Sequence, residues 1–287
     1  MSRINEALVR AQSTEPAEPS SPVFNAAWTV TDGQSADTPE AAPGPLSLDA
    51  PATATPGVLV RFSSQWRERL AGGEGSDAAL TEQFRQLAAT LHHAHRTNGL
   101  RNVMFTSASP GDGKTLSAVN LAVVLAESYR YRVLLIDADL RRPSIPNLVD
   151  LSDGCGLADA LTAPVEQKLA LVPITGRLTL LPAGRPISNS LEALTSPRMR
   201  HILDEAAERY DWVILDAPPV GAATDARVLS QMVGGTLLVV HAGKTQAPEA
   251  QRAIDAIGRQ QIIGVVLNGV DPSEAPAHYY YYGTSGA

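Results

Sequence analysis

The chain has few cysteines and no long apolar run, and each shortage excludes a class of protein. Cys155 is the only cysteine in 287 residues, so the chain cannot hold an internal disulfide framework or a thiolate metal cluster. No stretch approaches the ~20 apolar residues of a membrane helix, and the first residues lack the apolar core of a signal peptide. We therefore predict a cytoplasmic protein that would need a partner to work at a membrane.

Basic residues are also scarce relative to acidic ones. The sequence has 23 Lys plus Arg against 30 Asp plus Glu, a formal net charge of -7. Proteins that bind nucleic acid by neutralising phosphates need the opposite balance, so no nucleic-acid partner is expected. Aromatic residues make up only 5%, yet four of the seven tyrosines are consecutive, from Tyr279 to Tyr282. Hydrophobic residues make up 44%, which is enough for a core and excludes a wholly disordered chain.

Composition divides the chain into three parts. A stretch from about residue 12 to 57 is rich in Pro, Ala, Ser, Thr and acidic residues, and it would bury too little apolar surface to offset its ordering entropy. Ile4 and Leu8, just before it, give the apolar stripe of a short helix. The predicted parts are a short helix plus disordered linker (1–57), a folded domain (58–270) and a flexible tyrosine-rich tail (271–287).

Short β-rich runs alternate with helical patterns in the folded part. Apolar strands that alternate with helices indicate an α/β fold, with a mostly parallel sheet covered by helices on both faces. Strands are predicted at 102–107, 132–137, 178–181, 212–216, 236–241 and 262–268. Helices are predicted from a Ser76 cap through His95, and at 114–128, 190–209, 224–232 and 247–260.

A glycine-rich turn follows the first predicted strand and opens into a helix. It reads Ala108-Ser-Pro-Gly-Asp-Gly-Lys-Thr115, and this context is typical of a P-loop, whose N–H groups cradle phosphates at a helix N-terminus. Lys114 would neutralise the β- and γ-phosphates, and the Thr115 hydroxyl would ligate Mg²⁺. A single P-loop NTPase domain is therefore predicted. Its nucleotide-binding residues would be Pro110, Gly111, Asp112, Gly113, Lys114, Thr115 and Leu116.

Three aspartates follow two other predicted strands. Asp137 and Asp139 end one strand, and Asp216 ends another. The carboxyl ends of parallel strands share one edge of a sheet, so these side chains should gather beside the P-loop. A single Asp after a strand is more often a turn former, but three gathered carboxylates imply a cation among them. We predict a magnesium site made of Thr115, Asp137, Asp139 and Asp216.

The motifs together resemble a known family, the bacterial protein-tyrosine kinases of capsule and exopolysaccharide biosynthesis. Besides the P-loop, the family pattern is matched by Leu-Ile-Asp137-Ala-Asp139-Leu-Arg-Arg-Pro, by Ile-Leu-Asp216-Ala-Pro-Pro and by the tyrosine cluster, in the same order, over about residues 77–283. The resemblance implies an ATP- and Mg²⁺-dependent tyrosine kinase. Its catalytic residues would be Lys114, Asp137, Asp139 and Asp216, with Asp137 activating the phenol and Asn268 contacting the base.

The same resemblance implies partners and an acceptor. Tyr279, Tyr280, Tyr281 and Tyr282 would be the phosphate acceptors, and Asn268 to Tyr280 is 12 residues, about 40 Å when extended, so the tail could reach its own site or that of a neighbour. The family implies phosphorylation of a neighbouring copy. It also implies a cognate tyrosine phosphatase as a partner, and activation by the cytoplasmic tail of a membrane polysaccharide co-polymerase. That tail would bring the chain to the inner membrane. Glu82 and Arg85 match two positions of the family's oligomerisation motif, but Ala88 replaces its last arginine.

Two other functions remain open from the sequence. Partition and division-site ATPases share this fold, but they carry an early lysine in the P-loop, where this chain has Ser107, Ala108 and Ser109. A nucleotide-dependent scaffold that regulates a polysaccharide exporter would keep the nucleotide residues without transferring phosphate. The tyrosine run, taken alone, also fits a sticky or partner-docking tail.

Overall fold

The structure, a computed structural model, describes the folded part of the chain. The described residues are 62–72, 77–149, 151, 154–164, 168–221 and 224–270. The predicted N-terminal helix and linker, the Ser76 cap and the tyrosine tail lie outside them.

The described residues form a seven-stranded sheet with the order β3-β4-β2-β5-β1-β6-β7. The short β3 runs antiparallel to β4, and the other pairings are parallel. The four central strands β1, β2, β5 and β6 are rich in apolar residues because both faces of this part of the sheet are covered. The strands are β1 (Asn102–Ser107), β2 (Val133–Asp137), β3 (Val172–Pro173), β4 (Leu178–Leu181), β5 (Trp212–Asp216), β6 (Gly235–His241) and β7 (Ile262–Asn268).

Helices cover both faces of the sheet, as predicted. One core contains buried residues of α1 and α2, and the other contains buried residues of α3 to α7. None of the described helices is long and apolar enough to cross a membrane. The α-helices are α1 (Ala78–Asn98), α2 (Lys114–Glu127), α3 (Leu157–Thr162), α4 (Ser190–Thr195), α5 (Pro197–Arg209), α6 (Asp225–Ser230) and α7 (Ala247–Ile257).

Several predicted helix boundaries were wrong for identifiable reasons. The predicted helix at 190–209 is two helices, because Ser196 has extended backbone angles (φ -63°, ψ 149°) before Pro197. The helix predicted at 247–260 ends at Ile257, where Gly258 takes a positive φ of 93°, and the 3₁₀ turn Arg259–Gln261 follows. Asp77 caps α1, accepting a hydrogen bond from the N–H of Ala79 at 2.8 Å.

Residues 62–72, which we call the strap, pack across the start of the domain. Phe62 forms a β-bridge with Val149, and Ser64–Arg69 is a 3₁₀ helix. The buried amide of Asn120 on α2 then holds the strap at two points. Its Oδ1 accepts from the N–H of Ala71 at 2.7 Å, and its Nδ2 donates to the carbonyl of Arg69 at 3.0 Å. The strap is therefore anchored to the helix that carries the P-loop lysine.

Candidate active site

The P-loop connects β1 to α2, as the sequence predicted. Gly113 directly precedes α2 with a φ of 97°, and a Cβ there would collide with the side-chain amide of Asn268. Asn268, at the end of β7, donates from Nδ2 to the carbonyl of Asp112 at 2.9 Å. Gly113 is required both by its backbone angle and by this contact. The predicted base-contacting residue thus lies directly on the phosphate loop.

Asp112 braces the P-loop with its side chain. Its carboxylate is fully buried and accepts from the N–H of Ser109 at 2.9 Å and from the hydroxyl of Thr245 at 2.9 Å. Thr245 belongs to the loop after β6 and also accepts from the N–H of His241. Both carboxylate oxygens of Asp112 are thus used inside the protein. The side chain is therefore not available to the nucleotide, and the predicted nucleotide contact of Asp112 is left to its backbone.

The three predicted aspartates do gather beside the P-loop. β2 and β5 pair with Asp137 opposite Asp216, which places both carboxyl groups at the same edge. The Nζ of Lys114 lies 3.3 Å from Asp216 Oδ1 and 3.4 Å from Asp139 Oδ2. Asp137 accepts from two backbone N–H groups, those of Asp139 and Ile145, each at 3.2 Å. A single lysine therefore lies among three buried carboxyl groups.

Burial sets the protonation of this cluster. Desolvation raises the pKa of Asp137 to about 8, with a further contribution from Asp216, while Lys114 opposes the rise. Burial also raises the pKa of Asp216, against the lowering effects of Lys114 and Thr115. For Lys114, burial lowers the pKa, but the attraction of Asp216, Asp139 and Asp137 outweighs it and the pKa is raised. Lys114 is therefore positively charged, and three carboxyl groups surround this one cation.

The oxygen donors at this edge fit a divalent metal. The Thr115 hydroxyl donates to Asp216 Oδ2 at 2.6 Å, so two predicted ligands are already adjacent. Within the part of the chain that the structure describes, no three acidic, His or Cys side chains form a ready-made metal cage. Mg²⁺ in nucleotide sites does not need one, because it keeps several waters and binds one or two carboxylates together with substrate phosphates.

The structure adds three polar residues that the sequence reasoning missed. Thr245 braces Asp112, as described above. The Ser144 hydroxyl lies 2.8 Å from that of Thr115, and the exposed Lys244 directs its Nζ to the carbonyl of Pro110 at 3.5 Å. Lys244 and Thr245 follow a parallel strand at the P-loop edge, which was a usable signal. Ser144 lies in an irregular loop and had no such signal.

A cavity of about 280 Å³ opens next to the first turn of α2. It lies between that turn, α1 and the strap, and Asn268 is part of its wall. Leu116, one of the predicted nucleotide-binding residues, lines it, whereas Pro110 and Gly111 are exposed on the P-loop. The lining residues are Glu68, Arg69, Asp77, Leu80, Phe84, Leu116, Ser117, Asn120 and Asn268.

The predicted oligomerisation residues lie on α1. Glu82 and Arg85 are about half exposed and pair with each other at 3.9 Å. Ala88 is fully buried in the core beneath α1. The third motif position therefore faces the interior in this chain and not a partner. The predicted acceptors, Tyr279 to Tyr282, lie outside the described residues.

Comparisons with known proteins agree with this geometry. A family model described as ParA, NUBPL iron-transfer P-loop NTPase, matches residues 100–272. The tyrosine-protein kinase YwqD of Bacillus subtilis is 36% identical over 207 residues, covering 71% of this chain and 86% of the relative. The kinase domain of the Escherichia coli tyrosine kinase ETK superposes with a TM-score of 0.63 at 36% identity, covering 68% of this chain and 78% of that domain.

A more distant neighbour shows the fold alone. The septum site-determining protein MinD of Pyrococcus horikoshii, solved with Mg-ADP, has a TM-score of 0.51 at 19% identity, covering 62% of this chain and 74% of that one. Proteins of the P-loop NTPase fold bind a nucleotide with a divalent metal, and the site described above has the parts for both. The chain therefore belongs to the ParA-type P-loop NTPases and, among them, to the bacterial tyrosine-protein kinases.

Proposed function

We propose that the chain transfers the terminal phosphoryl group of ATP, with Mg²⁺, to the tyrosines Tyr279 to Tyr282 of a neighbouring copy. The observation that carries the proposal is the position of Lys114, which lies between Asp139 and Asp216 at the end of a P-loop. Relatives of this chain are named tyrosine-protein kinases. A lysine, a hydroxyl and three carboxyl groups at one edge are suited to bind the phosphates and the metal in such a transfer.

Each residue at this edge has a distinct task in the proposal. Lys114 moves away from its carboxylate partners to bind the β- and γ-phosphates. The metal is held by the predicted set of oxygen ligands, Thr115, Asp137, Asp139 and Asp216. Bound Mg²⁺ would neutralise charge on the phosphates and orient them. The P-loop N–H groups, kept in place by the Asp112 brace, bind the phosphate oxygens.

Asp137 is the proposed acceptor of the tyrosine proton. A carboxylate near pKa 4 is a weak base toward a phenol near pKa 10. Burial and Asp216 raise the pKa of Asp137, so without a bound cation this group holds a proton at neutral pH. A cation bound beside Asp137 would favour its carboxylate form, which can accept a hydrogen bond from the phenol. Asp137 would therefore orient the phenol and take its proton only as the phosphoryl group arrives.

The position of Asn268 suits a contact with the nucleotide base, and the family resemblance favours ATP over GTP. One N–H of its amide is used by the carbonyl of Asp112 at 2.9 Å, whereas Oδ1 accepts from no donor among the described residues. The free Oδ1 suits the exocyclic amino group of adenine, and the second N–H suits a ring nitrogen or a keto oxygen, so the side chain can contact either base. The cavity beside Leu116 and Ser117 is the proposed place of the nucleoside.

The biological role follows from the family resemblance. We propose that the chain regulates polymerisation and export of a capsular polysaccharide or exopolysaccharide. In this role it is activated by the cytoplasmic tail of a membrane co-polymerase, held at the inner membrane by that partner, and reversed by a cognate tyrosine phosphatase. Glu82 and Arg85 are about half exposed and available for contacts between copies. The third position of the motif, Ala88, is buried and does not take part.

Labelled ATP tests the function directly. The parent chain, Lys114→Met and a variant with Phe at Tyr279 to Tyr282 are incubated with [γ-³²P]ATP and Mg²⁺, with and without an activator-tail fragment, and phosphosites are mapped. We expect label on the tyrosine cluster, competed by unlabelled ATP better than by GTP, and a loss of roughly 10²–10³-fold in Lys114→Met. Nucleotide binding without any label on the cluster would refute the kinase proposal and favour the scaffold.

A further inference from the structure

A buried aspartate outside the P-loop motifs binds the loop that carries Asp139. Asp225, the first residue of α6, is 1% exposed. Its Oδ2 accepts from Arg141 Nε at 2.9 Å and from the Ser190 hydroxyl at 2.6 Å, and its Oδ1 lies 3.4 Å from Arg141 Nη2. The carboxylate therefore joins the loop after β2 to the first residues of α4 and α6.

The contact restrains a short loop that is also attached to the active site. Two residues before Arg141, Asp139 approaches Lys114 Nζ at 3.4 Å and accepts from the N–H of Arg142 at 3.1 Å. The carbonyl of Leu140 accepts from the N–H of Ile187 at 3.0 Å. The loop is thus held at Leu140 and Arg141 on its outer side, while Asp139 points to the lysine on its inner side.

Stability alone is a poor explanation for this ion pair. Taking a carboxylate out of water costs free energy, and the attraction of a charged partner often does no more than offset that cost. Apolar residues of similar volume would stabilise the core equally well. Arg141 itself is 44% exposed, so no burial requirement keeps it there. What a two-point guanidinium contact provides is a fixed geometry.

We propose that Asp225 is a positioning residue for phosphoryl transfer, which acts through Arg141 to hold Asp139 in place at the metal and phosphate site. The inference rests on the proposed kinase function. A displacement of about 1 Å in a reacting group is enough to cost roughly 10²-fold in rate. Nucleotide binding through the P-loop does not pass through this contact, so the effect should fall on kcat and spare the affinity for nucleotide without metal.

Three variants of the full chain separate positioning from stability. Arg141→Ala leaves the buried Asp225 charge without its cation, Asp225→Asn removes the charge but keeps a partner for Ser190, and the double variant removes both charges. Arg252→Ala, an exposed arginine on α7, is the matched control. The measurements are kcat and KM for ATP in tyrosine phosphorylation, the Kd for a fluorescent ADP without Mg²⁺, the melting temperature, and amide hydrogen exchange of residues 138–145.

We expect kcat to fall about 10- to 100-fold in Arg141→Ala and in the double variant, the Kd for ADP to change less than threefold, and exchange of residues 138–145 to rise. The double variant should recover melting temperature relative to Arg141→Ala without recovering kcat, which a purely structural role does not predict. A double variant with kcat within twofold of the parent, or unchanged exchange in both, overturns the inference. Hydrogen exchange needs no activity, so absence of transfer by the parent would refute only the proposed function.

Discussion

Replacing Asn120 with leucine should detach the strap from the domain. The Asn120 side chain is 1% exposed and makes the two hydrogen bonds to Ala71 and Arg69 at 2.7 and 3.0 Å. Leucine has a similar volume but no polar atoms, so it removes both bonds while leaving little cavity. Two backbone groups of the strap would then be buried next to an apolar side chain.

Two responses compete, and the cheaper one sets the size of the effect. If the strap stays in place, each unsatisfied group costs about 1–3 kcal/mol, or roughly 2–6 kcal/mol together. If the strap leaves α2, water satisfies both groups, and the loss is the burial of the strap's apolar side chains. Leu70, which is 3% exposed, contributes about 1.5–3 kcal/mol, and Ala71 and the partly buried Trp66 add a smaller part. We therefore expect a loss of about 2–4 kcal/mol in the free energy of unfolding, with the strap released.

Urea unfolding and hydrogen exchange distinguish these responses. The urea midpoint of Asn120→Leu should fall by the stated free energy divided by the m-value, and amides of residues 63–72 should exchange faster while β1 and α2 stay protected. Asn147→Leu, at an exposed asparagine, is the control and should stay within about 0.5 kcal/mol. Parental protection of the strap in Asn120→Leu would refute the reasoning. Because Glu68 and Arg69 line the cavity beside Asn268, affinity for ADP should also weaken, by up to about tenfold.

Three further substitutions test other contacts. Ala88→Arg should lower the free energy of unfolding by about 2–4 kcal/mol, because the fully buried position has no room or partner for a guanidinium; an unchanged thermal melt would contradict this. Gly113→Ala should weaken ADP binding more than tenfold in titration calorimetry, because a Cβ collides with Asn268; parental affinity would show that the loop adjusts freely. Thr245→Val should cost about 1–3 kcal/mol in urea unfolding by leaving Asp112 one donor short, and equal midpoints would mean that water replaces the hydroxyl.

The fold was predictable because its signals are local. Strands such as β1 and β5 are short apolar runs, and β4 and β7 also begin and end where expected. The wrong helix boundaries come from residues that break the helical backbone although the spacing of apolar residues continues. Pro197 divides a helix whose apolar spacing continues across the break. The two-residue β3 has no pattern of its own, because the pairing with β4 alone makes it a strand.

The active site was predictable to the extent that it uses strand ends. Asp137 and Asp216 were placed together by one topological rule, and their observed pairing follows from the register of β2 and β5. Ser144 and Asp225 were not predictable, because each makes its contact with a distant segment, Ser144 with Thr115 and Asp225 with Arg141. A sequence without an alignment holds no local trace of such contacts.

Asp112 shows why a motif match does not assign a role to each of its positions. The P-loop pattern placed it among the nucleotide contacts, yet its side chain is committed to Ser109 and Thr245 and its carbonyl to Asn268. A loop that presents several N–H groups to one anion must have its own polar groups satisfied elsewhere, since unpaired buried groups would favour other conformations. Some motif positions therefore serve the shape of the loop and not the ligand. For Asp112 this means that substitution should first disturb the loop and, through it, both phosphate and base recognition.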